Sequence, residues 1–213
     1  MRDAQRHRGA AGNTPEFASK FLNGRLAGFE KDMKICLTRM KSPTRSGYTH
    51  AYFPALATCC ATLEYLSGLR RGNVIDSVGY DQISHFSDRH LPQPDYDRET
   101  IRILFLAFRN SVAHRGISTG VWVDRQPGPG RGRRLTWKVL ANSRHPAVRI
   151  RNEKGKLTKD PPEDCEYTHR VYIHLRDLWI DIRGAVHSYR EELVDSRRLL
   201  NRFDDCMTQL YPT

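Results

Sequence analysis

The stretch from Arg109 to Gly116, Arg-Asn-Ser-Val-Ala-His-Arg-Gly, contains side chains that could act on a phosphate group. Histidine is the one side chain whose unperturbed pKa lets it serve as acid or base near neutral pH, so His114 is the candidate for proton transfer. Arg109 stays charged and can form paired hydrogen bonds to phosphate oxygens. Asn110 could orient His114 or the phosphate. Arg109, Asn110 and His114 are therefore the candidate catalytic residues.

Cleavage of RNA is one reaction that these residue types could perform. It needs a base to take the proton of the 2′-hydroxyl, an acid to protonate the leaving 5′-oxygen and positive charge beside the phosphorane. Our hypothesis makes His114 the base or acid and Arg109 the group that stabilises the transition state. No metal ion or other cofactor is required, and the expected products carry 2′,3′-cyclic phosphate and 5′-hydroxyl ends.

A helix with clear start and stop signals must position this stretch. Asp95 or Asp97 can cap its beginning, Glu99 lies in its first turn, and Gly116 is a natural left-handed stop. One apolar stripe runs along it and comprises Ile101, Leu104, Phe105, Phe108 and Val112. This pattern predicts that the candidate residues lie at the end of a half-buried helix.

Helix geometry sets a condition on the candidate residues. On an ideal α-helix, residues five apart are separated by about 140° around the axis, so Arg109 and His114 do not share a face. Asn110 and His114, which are four apart, do. The three side chains can therefore converge only if the helix distorts near His114 or if two copies of the chain pair across it.

The motif resembles the Arg-x4-His motif of the HEPN superfamily, whose members are small helical bundles that include many RNA-cleaving toxins. In that superfamily the residue after the arginine is usually Asn, Asp or His, and here it is Asn110. The resemblance covers about residues 15–116 and 173–211. It implies an antiparallel helical bundle, a homodimer with both motifs in one cleft, and a metal-independent RNA endonuclease of toxin or defence type, with an antitoxin protein as a possible partner.

Two other interpretations of the motif remain open. The chain could be a non-catalytic HEPN-like module that binds a nucleotide or RNA, or that serves in dimerisation. Alternatively, the motif could be structural. Arg109 would then pair with a carboxylate of the bundle, and His114 would cap the helix C-terminus, where a cation is favoured.

The charge of the chain is concentrated in one segment. The 213 residues have a formal net charge of +11, and residues 125–159 contain eleven basic residues with Glu153 as the single acidic one. Such a segment points to an anionic partner, RNA or a nucleotide. The candidate nucleic-acid-binding residues are Arg115, Arg131, Arg133, Arg134 and Lys138. Two interleaved tryptophans, Trp122 and Trp137, could stack on bases or could instead pack inward on the helices.

The fold class predicted from periodicity is mainly α, a helical bundle with a small antiparallel β-sheet inserted at about residues 119–173. Residues 1–13 form an expected flexible tail, and 14–213 form one domain. A first helix starts at Thr14-Pro15, a second follows Pro54, and one continuous helix of roughly 54 Å runs from Leu175 to Leu210. The expected strands cover residues 121–123, 135–140, 148–151 and 170–173.

Composition argues against several other classes of protein. No stretch approaches the ~20 apolar residues of a transmembrane helix, and the charged N-terminus is unlike a secretory signal. The five cysteines lack a disulfide spacing, so we expect reduced thiols and a cytoplasmic protein. Cys59 and Cys60 fit a buried helix. Cys165, His169 and His174 lack the further ligands that a zinc site needs, so no metal is expected.

Overall fold

The computed structural model describes residues 14–41, 48–109, 120–128, 130–157 and 165–212. Within them the chain is mainly α-helical with a small four-stranded sheet, as the sequence predicts, and it also has a two-stranded antiparallel sheet that was not predicted. The helices are α1 (Pro15–Cys36), α2 (Tyr52–Arg71), α3 (Tyr80–His90), α4 (Arg98–Ile103), α5 (Leu175–Asp195) and α6 (Arg197–Leu210). The strands are β1 (Met40–Lys41), β2 (Tyr48–Thr49), β3 (Trp122–Val123), β4 (Arg134–Leu140), β5 (Val148–Leu157) and β6 (Cys165–His174). The expected tail, residues 1–13, lies outside the described residues.

Short-range signals set several helix ends, and the starts at Thr14 and Asp97 were predicted from the sequence. The Thr14 side chain accepts a hydrogen bond from the backbone N–H of Phe17 (3.3 Å), and Asp97 accepts one from Thr100 (2.7 Å). Gly72 ends α2 in the left-handed region at φ +89°. A residue with a side chain would be strained in this conformation. Helix α2 begins two residues before Pro54, which therefore lies in its first turn.

Helix α2 lies at the centre of the bundle. It packs against α1, α3, α5 and α6, and most of its faces are buried. Its adjacent cysteines, Cys59 and Cys60, belong to this core, which confirms the prediction of a buried helix. No helix among the described residues is both long and apolar enough to cross a membrane.

The prediction of one continuous last helix is wrong, because the chain breaks at Ser196. This residue has extended backbone angles (φ −122°, ψ 97°), and its hydroxyl accepts a hydrogen bond from the N–H of Leu199 (3.3 Å). A serine that caps a new helix competes with continuation of the old one. The apolar seam continues across the break because α5 and α6 both pack on α2.

The four-stranded sheet is mixed, so the prediction of an antiparallel sheet is also wrong. Its order is β3-β4-β6-β5, with β4 and β6 parallel and the other two pairs antiparallel. Strand β5 does not pair with β4, the strand before it. It forms a hairpin with β6 instead, and this places β6 between β4 and β5. Both β5 and β6 are ten residues long, longer than predicted.

The sheet has one apolar face and one cationic face. Trp137, Val171 and Ile150 lie in register across β4, β6 and β5 and face the helices. The Trp137 ring meets Phe108 edge to face, with 5.4 Å between ring centroids. The next row on the opposite face is Lys138, Tyr172 and Arg149. Trp137 and the other interleaved tryptophan, Trp122, therefore pack inward, while cations of β4 and β5 point away from the bundle.

Candidate functional site

Arg109 is the catalytic candidate that the structure describes. It ends a π-helical turn, Leu104–Arg109, that follows α4 directly. Its Nη2 atom lies 2.8 Å from Oε1 and 3.0 Å from Oε2 of Glu64 on α2. Both side chains are half-buried, with 29% of the Arg109 side chain exposed. The ion pair with Glu64 agrees with the structural interpretation of Arg109 and fixes the orientation of its guanidinium group.

The other residues of the motif lie outside the described residues. These are Asn110 and His114, together with Arg115, which was predicted to bind nucleic acid. A distortion of the helix is nevertheless present just before them, because the π turn carries hydrogen bonds that span five residues instead of four. The π turn ends at Arg109, so the segment between Arg109 and His114, to which the geometric condition applies, lies outside the described residues.

Arg133, another nucleic-acid candidate, is bound within the protein. Its Nη1 lies 2.6 Å from Oε1 of Glu99, and its Nη2 lies 3.2 Å from Oδ2 of Asp124. The buried Asp124 carboxylate also accepts two hydrogen bonds from Arg102, at 2.7 and 3.0 Å. These hydrogen bonds, first of all those from Arg102, lower the pKa of Asp124. Arg133 thus ties the turn before β4 to α4, which favours a structural role for it.

The remaining candidate cations do not form one cluster. Arg131 is exposed in the turn and Arg134 is half-buried at the start of β4. Lys138 lies four residues farther along this strand, which corresponds to about 13 Å. Among the predicted nucleic-acid-binding residues that the structure describes, Lys138 alone lines the cationic cleft described next.

Lys138 lies in a cleft of about 200 Å³ on the outer face of the sheet, which we call the cationic cleft. Strands β4, β5 and β6 form its floor, and the loop of residues 141–147 forms a wall. The charged and aromatic side chains that line it include Lys138, Arg144, Arg149, Arg151, Tyr172 and His174. Four permanent cations therefore face one small space.

These four cations are not neutralised within the described part of the chain. None of them lies within 4.0 Å of a carboxylate oxygen there. The guanidinium of Arg151 instead lies over the ring of Tyr172, 5.3 Å from its centroid. Glu153, the acidic residue of β5, pairs with Arg170 and accepts a hydrogen bond from the Tyr172 hydroxyl (2.6 Å). Arg151 is thus positioned by an aromatic ring and keeps its charge available for an anion.

Two histidines and an asparagine shape the wall of the cleft. Nδ1 of His174 lies 2.8 Å from the side-chain oxygen of Asn142. Burial, followed by the charges of Arg144 and Arg151, lowers the pKa of His174. His145 lies nearby, with its Nε2 3.8 Å from Oδ1 of Asp177. Asp177 partly offsets the positive charge on this side.

The wall itself is held by α5 and by the last residue of β6. Nε of Arg176 donates a hydrogen bond to the carbonyl oxygen of Ala141 (2.7 Å). The N–H of His174 donates to the carbonyl of Ala147 at the other end of the loop (2.7 Å). The cationic cleft is therefore formed before any ligand binds.

Sequence reasoning did not single out Arg144, Arg149, Arg151 or His174 as site residues. A signal for part of the set was present, because the alternation Val-Arg-Ile-Arg from residue 148 places Arg149 and Arg151 on one face of a strand. Their meeting with Lys138 depends on the position of β6 between β4 and β5, which periodicity does not reveal. Within the described residues no group of three or more His, Cys, Asp or Glu side chains could hold a metal ion.

In the comparisons with known proteins, no family model, curated protein or solved structure matches this chain. The resemblance to HEPN proteins thus depends on Arg109, Asn110 and His114 and on the order of the helices around them.

Proposed function

We propose that this chain is an RNA-binding protein that holds phosphate groups on the outer face of its sheet. The observation that carries the proposal is the cationic cleft, where Lys138, Arg144, Arg149 and Arg151 converge without a carboxylate partner in the described residues. Like charges gathered on one surface repel one another unless an anion is bound. The resemblance of the Arg109–His114 motif to RNA-cleaving proteins favours RNA over other polyanions.

Binding of this kind gains its free energy mainly from the release of counterions. Each phosphate neutralised by a lysine or arginine lowers the slope of log K against log salt by about 0.7 for a single strand. The apolar inner face of the sheet packs on the helices, so the strands present their cations on a rigid support. The proposal therefore predicts salt-dependent binding that a small number of residues control.

The variant Lys138→Gln/Arg151→Gln tests RNA binding. We expect it to bind single-stranded RNA about tenfold more weakly near physiological salt. The fall of log K with log salt should also be less steep, by about 1.4, since two phosphate contacts are lost. Fluorescence anisotropy titrations at several salt concentrations measure both quantities. The matched control, Lys20→Gln/Lys31→Gln, removes the same charge from exposed positions on α1. Equal losses in the two variants would show that net charge alone, and not this face, binds RNA.

RNA cleavage is a second function, favoured by the π turn that ends at Arg109. Such turns occur often at functional sites, and here the turn brings the arginine of the motif onto Glu64, which holds it in one orientation. The proposed enzyme is a metal-independent endonuclease in which Arg109 stabilises the phosphorane and His114 transfers the proton. As the HEPN resemblance implies, two copies of the chain would supply both an acid and a base.

Incubation of the protein with RNA in excess chelator tests cleavage. We expect His114→Ala to lower the cleavage rate at least about 100-fold, because general acid–base catalysis is lost. The wild-type products should carry 2′,3′-cyclic phosphates. His187→Ala is the matched control, since His187 is exposed on α5 beside Glu191. A His114→Ala protein that cuts RNA at the wild-type rate would refute the cleavage proposal and leave RNA binding in place.

A further inference from the structure

The cationic cleft holds more positive charge than an internal phosphate of RNA requires. An internal phosphodiester carries one negative charge, whereas a phosphate monoester carries about 1.5 to 2 at neutral pH. The cleft presents four permanent cations, which two neighbouring carboxylates offset in part, Asp177 beside His145 and Glu153 beside Tyr172. This excess favours a ligand with the charge of a monoester.

The arrangement of the cations fits a small group with several oxygen atoms. Lys138 and Arg149 flank Tyr172 in one row across three strands, about 10 Å apart at the backbone. Arg151 follows two residues along β5, and Arg144 approaches from the loop that forms the wall. Long cationic side chains from separate directions can surround a terminal phosphate, whose three free oxygens accept hydrogen bonds on all sides.

The size and shape of the cleft favour the end of an RNA strand over an internal part of the strand. Its volume of about 200 Å³ is below the roughly 300–1,000 Å³ of pockets that enclose drug-sized ligands. The wall of residues 141–147 is anchored at both ends by Arg176 and His174, so it is already in place on one side of the bound group. A group at the end of an RNA can enter such a cleft without the strand having to leave on the far side.

We propose that the cationic cleft binds the terminal phosphate monoester of an RNA strand. The inference rests on the proposed RNA binding and adds to it a preference for RNA with a phosphorylated end. Arg144 and Arg149 are exposed and make no ion pair among the described residues, so they are the side chains to substitute without disturbing the fold.

The test compares three forms of one short single-stranded RNA with an internal fluorescent label. The forms carry a 5′-phosphate, a 3′-phosphate or hydroxyl groups at both ends. Anisotropy titrations in the His114→Ala background prevent cleavage from creating new ends. We expect one phosphorylated form to bind at least about tenfold more tightly than the hydroxyl form, and the two phosphorylated arms show which end is bound.

The variant Arg144→Gln/Arg149→Gln should bind all three RNAs with one common affinity, below that of the wild type for the hydroxyl form, because it loses both the terminal-phosphate preference and two general phosphate contacts. The control Lys154→Gln/Lys156→Gln removes the same charge from β5 outside the cleft and should weaken all three equally. Thermal unfolding of both variants checks that the fold is intact. If wild-type affinity for RNA is measurable but independent of the terminal phosphate, this inference is wrong and RNA binding stands. If no form of the RNA binds, the proposed function fails as well.

Discussion

Asp124→Asn is expected to lower the free energy of unfolding by about 3–5 kcal/mol. The Asp124 side chain is fully buried, and its two oxygens accept hydrogen bonds from Arg102 and Arg133. An asparagine in the same place turns an NH2 group toward a guanidinium, leaves Arg102 without its ion-pair partner and leaves Arg133 with Glu99 alone. The loss is large because the remaining charges stay desolvated.

Urea and thermal unfolding measure this loss. A change of this size lowers Tm by roughly 6–20 °C for a domain of this length. The control is Asp81→Asn, which removes an exposed carboxylate paired with Arg98 and should cost less than about 1 kcal/mol. Because the folded pKa of Asp124 is lowered, its contribution is present above the ordinary aspartate pKa and is lost as pH falls through the lowered value. Equal stability of the two variants would contradict the assignment.

Acidification is expected to destabilise the fold through His90. This histidine is packed between Phe86 and Tyr189, and burial lowers its pKa to about 4. The attraction of Glu192 opposes that shift, while Arg70 and Arg89 reinforce it. In the unfolded chain the histidine titrates near 6.5. The native state therefore binds fewer protons than the unfolded state between these values. As pH falls from about 6.5 to about 4, up to about 3 kcal/mol of stability is lost.

Urea unfolding of the wild type and of His90→Gln between pH 7 and pH 4.5 isolates this contribution. The variant should lose less stability over the range, since its side chain takes up no proton. His187→Gln, changed at an exposed histidine of α5, should follow the wild-type curve. The lowered pKa of Glu192 also reduces stability at the lowest pH values. The contribution of His90 is therefore taken as the difference in stability between the wild type and His90→Gln at each pH. Parallel curves for the wild type and His90→Gln would show that His90 is not the group that titrates.

Helix starts and stops were predictable because they depend on residues close together in the chain. The side chains of Thr14 and Asp97 each accept a hydrogen bond from the backbone N–H three residues later, and Gly72 ends the last turn of α2. The break at Ser196 was not predicted, although its cap is equally local. Helices α5 and α6 both pack on α2, so their apolar residues continue one hydrophobic pattern. That pattern shows no interruption at Ser196 and therefore does not reveal the break.

The parallel pairing of β4 with β6 could not be read from the strands themselves. Alternating apolar residues predict that a strand has one buried face, but they do not say which strand lies beside it. The order of the sheet depends on β5 folding back onto β6, and that choice is made by contacts between residues distant in sequence. The order of the sheet decides that Lys138 of β4 meets Arg149 and Arg151 of β5 in the cationic cleft.

Charge counting located the cationic segment but not the site. The charge count over residues 125–159 left out two nearby carboxylates. Asp124 precedes the segment by one position, and Glu99 belongs to a helix earlier in the chain. These two carboxylates neutralise Arg133, one of the candidates chosen from sequence. Arg149 and Arg151 were part of the same count, and they are the residues whose charge remains available at the cleft.

The place of β5 at the edge of the sheet gives its charges a second role. A ten-residue edge strand presents backbone groups that a strand of another molecule could pair with, which leads to aggregation. Cationic side chains such as Arg149, Lys154 and Lys156, together with the register shift between Asn152 and Gly155, oppose that pairing. The charge proposed to attract RNA therefore also keeps copies of the protein from joining edge to edge. Substitutions that neutralise the whole strand would sacrifice solubility together with ligand binding.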